Sequence, residues 1–174
     1  MSWIQTFTGL RVDPLAPDAD ALALADIAHA LSLLCRFNGH CRVFYSVAEH
    51  SVRVARALPR EHAPWGLLHD ASEAYLADIP RPLKRRLPDY EAAEERFMRV
   101  VATRFGLPWP MPAAVHEADT RLLATEARDL MGADPRAWGL AVEPLSGAIA
   151  PWSPAEAEAA FLALWAELAA PATG

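Results

Sequence analysis

Four groups able to bind a metal or move a proton, His69, Asp70, Glu73 and Asp78, fall close together in the stretch Trp65 to Lys84, which is otherwise apolar and helix-forming. At about 100° per residue, His69, Asp70 and Glu73 share one stripe of a helix, with Gly66 a turn earlier on the same side. Leu67, Leu68, Ala71, Ala74, Tyr75 and Leu76 fill the remaining circumference. A helix that is apolar nearly all round is buried, so the polar stripe must face something that offsets its desolvation. Pro80 and Pro82 stop the helix, leaving Asp78 at its C-terminal edge and Lys84 just beyond. A His-Asp dipeptide alone is a weak signal, and its weight here comes from the groups that accompany it.

Two further helices carry those groups. Ser46-Val47-Ala48-Glu49 has the pattern of a capping box and opens a helix running to Leu58. On it His50 shares a side with Val47, Val54, Ala57 and Leu58, while Glu49, Arg53 and Arg56 point the other way. A later helix, Ala113 to Met131, is closed by Gly132 and carries Asp119 on the side of Leu123, Glu126 and Leu130, where the pattern asks for a hydrophobe. An unpaired buried carboxylate costs several kcal/mol, so Asp119 calls for a cation or a metal; Arg121 and Arg128 project from the opposite side of the same helix.

His50, His69, Asp70 and Asp119 are therefore candidate metal ligands. Two imidazoles and two carboxylates suit a first-row divalent ion (Mn, Co, Fe, Ni or Zn) better than Ca or Mg, and an octahedral site would leave two positions for water and a phosphate oxygen. Taken singly, a core histidine satisfied by a carbonyl is commoner than a ligand; the case rests on all four together. Glu73, one turn from His69, can accept a proton from the attacking water without occupying the metal. Arg36, at the end of the first helix, suits a fork on two phosphate oxygens, or equally a favourable place on the helix dipole. Phe37 beside it is a base-stacking ring or a core residue, and Lys84 a phosphate aid or a solvated cation.

The elements that must position these groups are helical. At 174 residues the chain fits one domain, 1–174, able to bury about 70% of the surface its unfolded form exposes. Residues Trp3 to Val12 suggest a small hairpin or extended arm, broken at Gly9. Asp18 can cap a helix to about Arg36, with Leu24, Ile27, Leu31 and Leu34 on one face and Asn38-Gly39 ending it. Another helix, from about Tyr90 to Phe105, turns Phe97 and Val101 inward and stops at Gly106. Asp134 to Pro151 reads as a loop with a little extended structure, and Ser153-Pro154-Ala155-Glu156 opens a last helix docking Phe161, Leu164, Trp165 and Leu168. Cys35 and Cys41 read as reduced thiols of a cytoplasmic protein, no apolar run approaches a membrane span, and a net charge of −6 argues against a broad nucleic-acid footprint.

The ordered segments Ser46-Val47-Ala48-Glu49-His50-Ser51, Leu67-Leu68-His69-Asp70-Ala71-Ser72-Glu73, Asp78-Ile79-Pro80-Arg81-Pro82-Leu83-Lys84 and Glu117-Ala118-Asp119 resemble the HD-domain phosphohydrolases. The likeness is to the branch of the bacterial 5′-deoxynucleotidases, and more closely to its short bacterial and prophage-encoded members, with Ile27 to Ser32 and Cys35 to His40 also similar. The resemblance implies a mainly α, HD-domain helical bundle with metal ligands His50, His69, Asp70 and Asp119. It further implies Glu73 acting on the attacking water, Asp78 on the sugar hydroxyl and Arg36 holding the phosphate. The implied reaction is hydrolysis of the 5′-phosphate of a (deoxy)nucleoside monophosphate; the alternatives are a deoxynucleoside triphosphate triphosphohydrolase with the same site and a non-catalytic nucleotide-sensing module. It also implies a homo-oligomer, for which Trp65, Trp109, Trp138 and Trp152 are candidate exposed anchors. The segment between His50 and His69 is shorter than in typical nucleotidases, which bears on the nucleoside pocket more than on the metal.

Overall fold

The computed structural model describes residues 2–170; it is mainly helical, with one two-stranded hairpin at the start. β1 (Ile4–Gln5) pairs antiparallel with β2 (Arg11–Val12), Ile4 opposite Val12, which is the arm read from the sequence. Thr8 ties it to the body, its backbone N–H and hydroxyl donating to the Asp26 carboxylate at 2.7 and 2.9 Å.

The first helix is shorter than its periodicity suggests. Asp18 caps only a 3-10 turn, Ala19–Ala21, and α1 spans Leu24–Leu33. Arg36 sits instead in a separate tight turn, Arg36–Gly39. The reason lies in the backbone: the Arg36 N–H donates to Tyr45 O (2.9 Å) and the Val47 N–H to Leu34 O (3.0 Å), so the amide that would extend the helix closes the base of a loop.

Around α2 (Val47–Arg56) pack α1, α3 (Ala63–Leu68), α7 (Ala113–Glu126) and α8 (Pro154–Ala169). Ser46 Oγ accepts the Glu49 N–H at 3.0 Å, but the return half of the capping box is not made. Glu49 is fully buried rather than turned to solvent as its helical position suggests. Its carboxylate accepts from the Arg53 guanidinium and the Trp152 N–H, because the segment entering α8 covers that side of α2.

The expected single helix through residues 65–79 is broken. α3 ends at Leu68, His69–Ser72 form tight turns in which the N–H groups of Ala71 and Glu73 donate to Leu68 and Asp70, and α4 (Glu73–Leu76) follows. Next come α5 (Arg81–Lys84) and α6 (Pro88–Phe105), which buries Phe97 and Val101 and stops at the left-handed Gly106. After Glu126 a π-helical turn, Ala127–Met131, runs to the left-handed Gly132. The segment 134–151 contains a 3-10 turn, Pro135–Trp138, and no strand among the described residues. α8 has its full capping box and buries Phe161 and Leu164.

Of the four tryptophans taken as exposed anchors, Trp65 is buried, its Nε1–H donating to Pro108 O at 2.7 Å, and Trp152 is half-buried; Trp109 and Trp138 are exposed. Cys35 and Cys41 are not bridged, and no helix among the described residues is long and apolar enough to cross a membrane.

Candidate metal centre

Gly66 decides how closely α3 approaches α2. A Cβ there would lie 2.6 Å from Leu58 Cδ1 and 2.9 Å from Ala55 Cα, so only glycine lets the two backbones touch. That approach carries His69, just past the end of α3, to His50 on α2: their Nε2 atoms are 3.2 Å apart. Each imidazole is oriented through its other nitrogen. His69 Nδ1 donates to Gly66 O at 2.8 Å, and His50 Nδ1 to Glu126 Oε1 at 2.6 Å. In the neutral tautomers these bonds select, both Nε2 atoms are acceptors, the arrangement metal-binding histidines adopt.

Carboxylates complete the group. Asp119 Oδ1 on α7 lies 3.2 Å from His50 Nε2, and Asp70 Oδ2 lies 3.2 Å from His69 Nε2 and 3.6 Å from His50 Nε2. Adjacent ligands about 2.1 Å from a common ion are about 3.0 Å apart, close to the 3.2 Å that separates His50 Nε2 from His69 Nε2 and from Asp119 Oδ1. His50, His69 and Asp119 could hold a metal ion between them, with ligand atoms within 4.8 Å of one another. Facing lone pairs and carboxylates demand positive charge. Burial and Arg36 push His50 towards neutrality, yet Glu126 and Asp119 raise its pKa to about 9. Against burial, the hydrogen bond and charge of His50 hold Asp119 well below the usual carboxylate range, and His69, His50 and Arg36 do the same for Asp70.

Beside this group opens a cleft of about 690 Å³, lined by Asp70, Asp119, Glu73 and Asp78 together with Arg36, Arg81, Lys84 and Arg85. Burial, then Asp70 and Asp78, raise the Glu73 carboxyl well above its ordinary value, and its Oε2 is buried with no hydrogen-bond partner among the described residues. Asp78 is raised by burial and by Asp70. Ala77, at φ +67°, turns the chain between α4 and Asp78, and its carbonyl accepts from Tyr90 Oη at 2.6 Å.

The Arg36 guanidinium is also buried. Nη2 donates to Glu126 Oε2 at 3.2 Å, Nη1 lies 3.6 Å from Asp70 Oδ2, and Nε is unpaired among the described residues. Phe37 and Asn38 follow at φ +56° and +51°, and this left-handed pair sets the Phe37 ring at the cleft, 5.9 Å from that of Trp138.

No protein-family model matches the chain. It is 48% identical over 130 residues to the uncharacterized protein YfdR of Escherichia coli (strain K12), covering 75% of this chain and 73% of that protein. The chain belongs to the YfdR family. It is also 37% identical over 145 residues to an uncharacterized protein of Rhodobacter capsulatus, covering 75% of this chain and 74% of that one.

In this member of the YfdR family, all nine candidate residues read from the sequence gather at the metal group or its cleft, but two of them, Asp119 and Lys84, differ from their expected surroundings. Asp119 has a cation partner from another element, Arg81 Nη2 at 2.8 Å, which no helical wheel could supply. Lys84 lines the cleft with its Nζ 2.7 Å from Glu94 Oε1, and is therefore neither free nor simply solvated. Trp138, read as a docking anchor, is a wall of the cleft. His40, near Arg36 in sequence, is exposed and lines no part of it. Glu126 is the residue that sequence reasoning passed over. Its one signal was a place two turns after Asp119 on the same apolar side.

Proposed function

We propose that this YfdR-family chain is a metal-dependent phosphohydrolase of the HD-domain type. It cleaves the 5′-phosphate ester of (deoxy)nucleoside monophosphates to nucleoside and inorganic phosphate. The observation that carries the reading is the juxtaposition of a His50, His69 and Asp119 group with the buried, partly unpaired guanidinium of Arg36 and the unpaired carboxyl of Glu73. Asp70 is the fourth ligand in this reading, 3.2 Å from the His69 nitrogen. A bound Mn, Co, Fe, Ni or Zn ion supplies Lewis acidity towards a phosphoryl oxygen and the attacking water.

The rest is done by the chain. Arg36, on the cleft wall, holds the phosphate oxygens and keeps the phosphorus in line. Glu73, at the cleft with its Oε2 unpaired among the described residues, removes the proton of the water. Asp78, at the same cleft, accepts from a sugar hydroxyl, and the Phe37 and Trp138 rings flank the base. A cleft of about 690 Å³ is of the size that takes a mononucleotide.

A second reading, hydrolysis of deoxynucleoside triphosphates to triphosphate, is favoured by Arg81 and Arg85 on the cleft wall, where further phosphates would meet them. The deciding experiment is a metal-replete panel of mono-, di- and triphosphate nucleotides with products identified. Phosphate and nucleoside from monophosphates are expected, with Glu73→Ala lowering kcat by about 100-fold or more while metal content is kept. Triphosphate as product selects the second reading. Nucleotide-dependent stabilisation without turnover of any nucleotide refutes both and makes the chain a sensing module.

A further inference from the structure

We propose that Glu126 is a positioning residue that couples the two grips of the site: one buried carboxylate sets both the metal-binding face of His50 and the anion-binding face of Arg36. The inference rests on the metal-and-phosphate reading above, although its metal half stands on geometry alone.

Glu126 is fully buried and ends α7. Its two oxygens are divided between two partners, Oε1 on His50 Nδ1 at 2.6 Å and Oε2 on Arg36 Nη2 at 3.2 Å. Each oxygen thus faces a donor, the imidazole Nδ1 on one side and the guanidinium on the other. As an acceptor towards Nδ1 it keeps that nitrogen protonated and leaves Nε2 facing His69 and Asp119. Towards Arg36 it occupies Nη2 and so fixes the guanidinium that lines the cleft. Asp119 lies two turns earlier on the same helix, so α7 fixes one metal-facing carboxylate and the orienter of a metal-facing imidazole in a single rigid body. The helix widens into its π turn at the next residue, and such turns recur at functional sites.

Glutamine separates this role from a structural one. A carboxylate accepts at both oxygens, whereas an amide accepts at one end and donates at the other. With its oxygen on Arg36, the amide N–H must donate to His50 Nδ1, which moves the imidazole proton to Nε2, the atom a metal needs. With its oxygen on His50, the amide N–H opposes Arg36 Nη2 and turns the guanidinium out of place. Glu126→Gln must therefore lose one grip, and about tenfold or more in the corresponding Kd is expected. Glu126→Asp keeps the charge that buried Arg36 requires but is one methylene short of spanning both partners, and the same kind of loss is expected.

The experiment measures Mn2+ affinity by electron paramagnetic resonance and inorganic phosphate affinity by calorimetry at saturating Mn2+, on the full chain, beside near-UV circular dichroism and Tm. A folded variant with either affinity weakened about tenfold supports the proposal. Both affinities within about twofold of wild type, whatever the change in Tm, overturn it. If Glu126→Gln does not fold, Glu126→Asp decides by the same criterion; failure of both to fold assigns the residue to folding and also overturns it. Hydrolysis is not among the readouts, so a wild type without turnover whose Mn2+ and phosphate affinities still respond to Glu126 refutes the phosphohydrolase reading and leaves this inference intact.

Discussion

Gly66→Ala tests whether the metal group depends on the contact between α2 and α3. The new Cβ would lie 2.9 Å from Ala55 Cα and 3.1 Å from Ala55 N, against an optimum near 3.5–4.0 Å between carbons. Leu58 Cδ1, at 2.6 Å, is the end of a side chain and can swing aside; the Ala55 backbone cannot. α3 must therefore back away by about 0.6–1 Å. The distance between the imidazole nitrogens, 3.2 Å in the wild type, opens correspondingly. Overpacking of this kind costs about 1–3 kcal/mol, which is about 2–12 °C in Tm for a chain of this size. A displaced ligand lowers metal affinity about tenfold or more. Alanine is intrinsically the better helix former by about 1 kcal/mol, so without the clash the substitution would stabilise, and the sign of the change is decisive. Thermal unfolding with and without Mn2+, and calorimetric titration of Mn2+, read both effects. A Gly66→Ala protein with wild-type Mn2+ affinity and an unchanged or higher Tm would refute the argument.

Glu73→Gln is expected to stabilise the metal-free protein at pH 7 while abolishing turnover. Folding raises the Glu73 carboxyl, so the wild type loses stability as pH climbs from near 4.5 through the folded value, whereas Gln carries no such penalty. A gain of about 2–4 °C in Tm at pH 7 that vanishes near pH 4 is expected, and an equal gain at both pH values would contradict it. Trp138→Ala removes an exposed ring from the cleft, so Tm should hardly move, while KM for nucleotides rises about fivefold or more, as loss of a stacking partner worth about 1–3 kcal/mol requires. The same substitution should leave KM for ribose 5-phosphate unchanged, and a parallel rise there would show that Trp138 does not meet the base.

Where local chemistry decides, the sequence was legible. The Ser153 box, the stops at Gly106 and Gly132 and the hairpin at Gly9 follow from caps and turn residues whose preferences are local. The convergence of His50, His69 and Asp119 was legible for a different reason, since polar groups on apolar faces must meet something. The break at His69 was not. Leu67 to Leu76 are uniformly good helix formers, and nothing in their periodicity announces the tight turns that separate α3 from α4. Glu49 and Glu126 were misjudged or missed because a helical glutamate ordinarily faces water, and both are buried by partners from distant segments: Trp152 for the first, Arg36 for the second. Arg81 against Asp119 is likewise a contact between elements that only the assembled chain makes.

The left-handed backbone at Phe37 sets firmness against recognition. Bulky side chains avoid that conformation, at roughly 1–2 kcal/mol relative to the ordinary right-handed one, and glycine or asparagine is the comfortable occupant. Asn38 meets the preference and Phe37 defies it, in a loop whose base is pinned by Tyr45 and whose guanidinium is pinned by Glu126. A benzene ring held against its own torsional inclination at the mouth of a cleft marks a place where the polypeptide forgoes stability. Substitutions that relax this corner would yield a sturdier molecule with a blunter sense of what it holds.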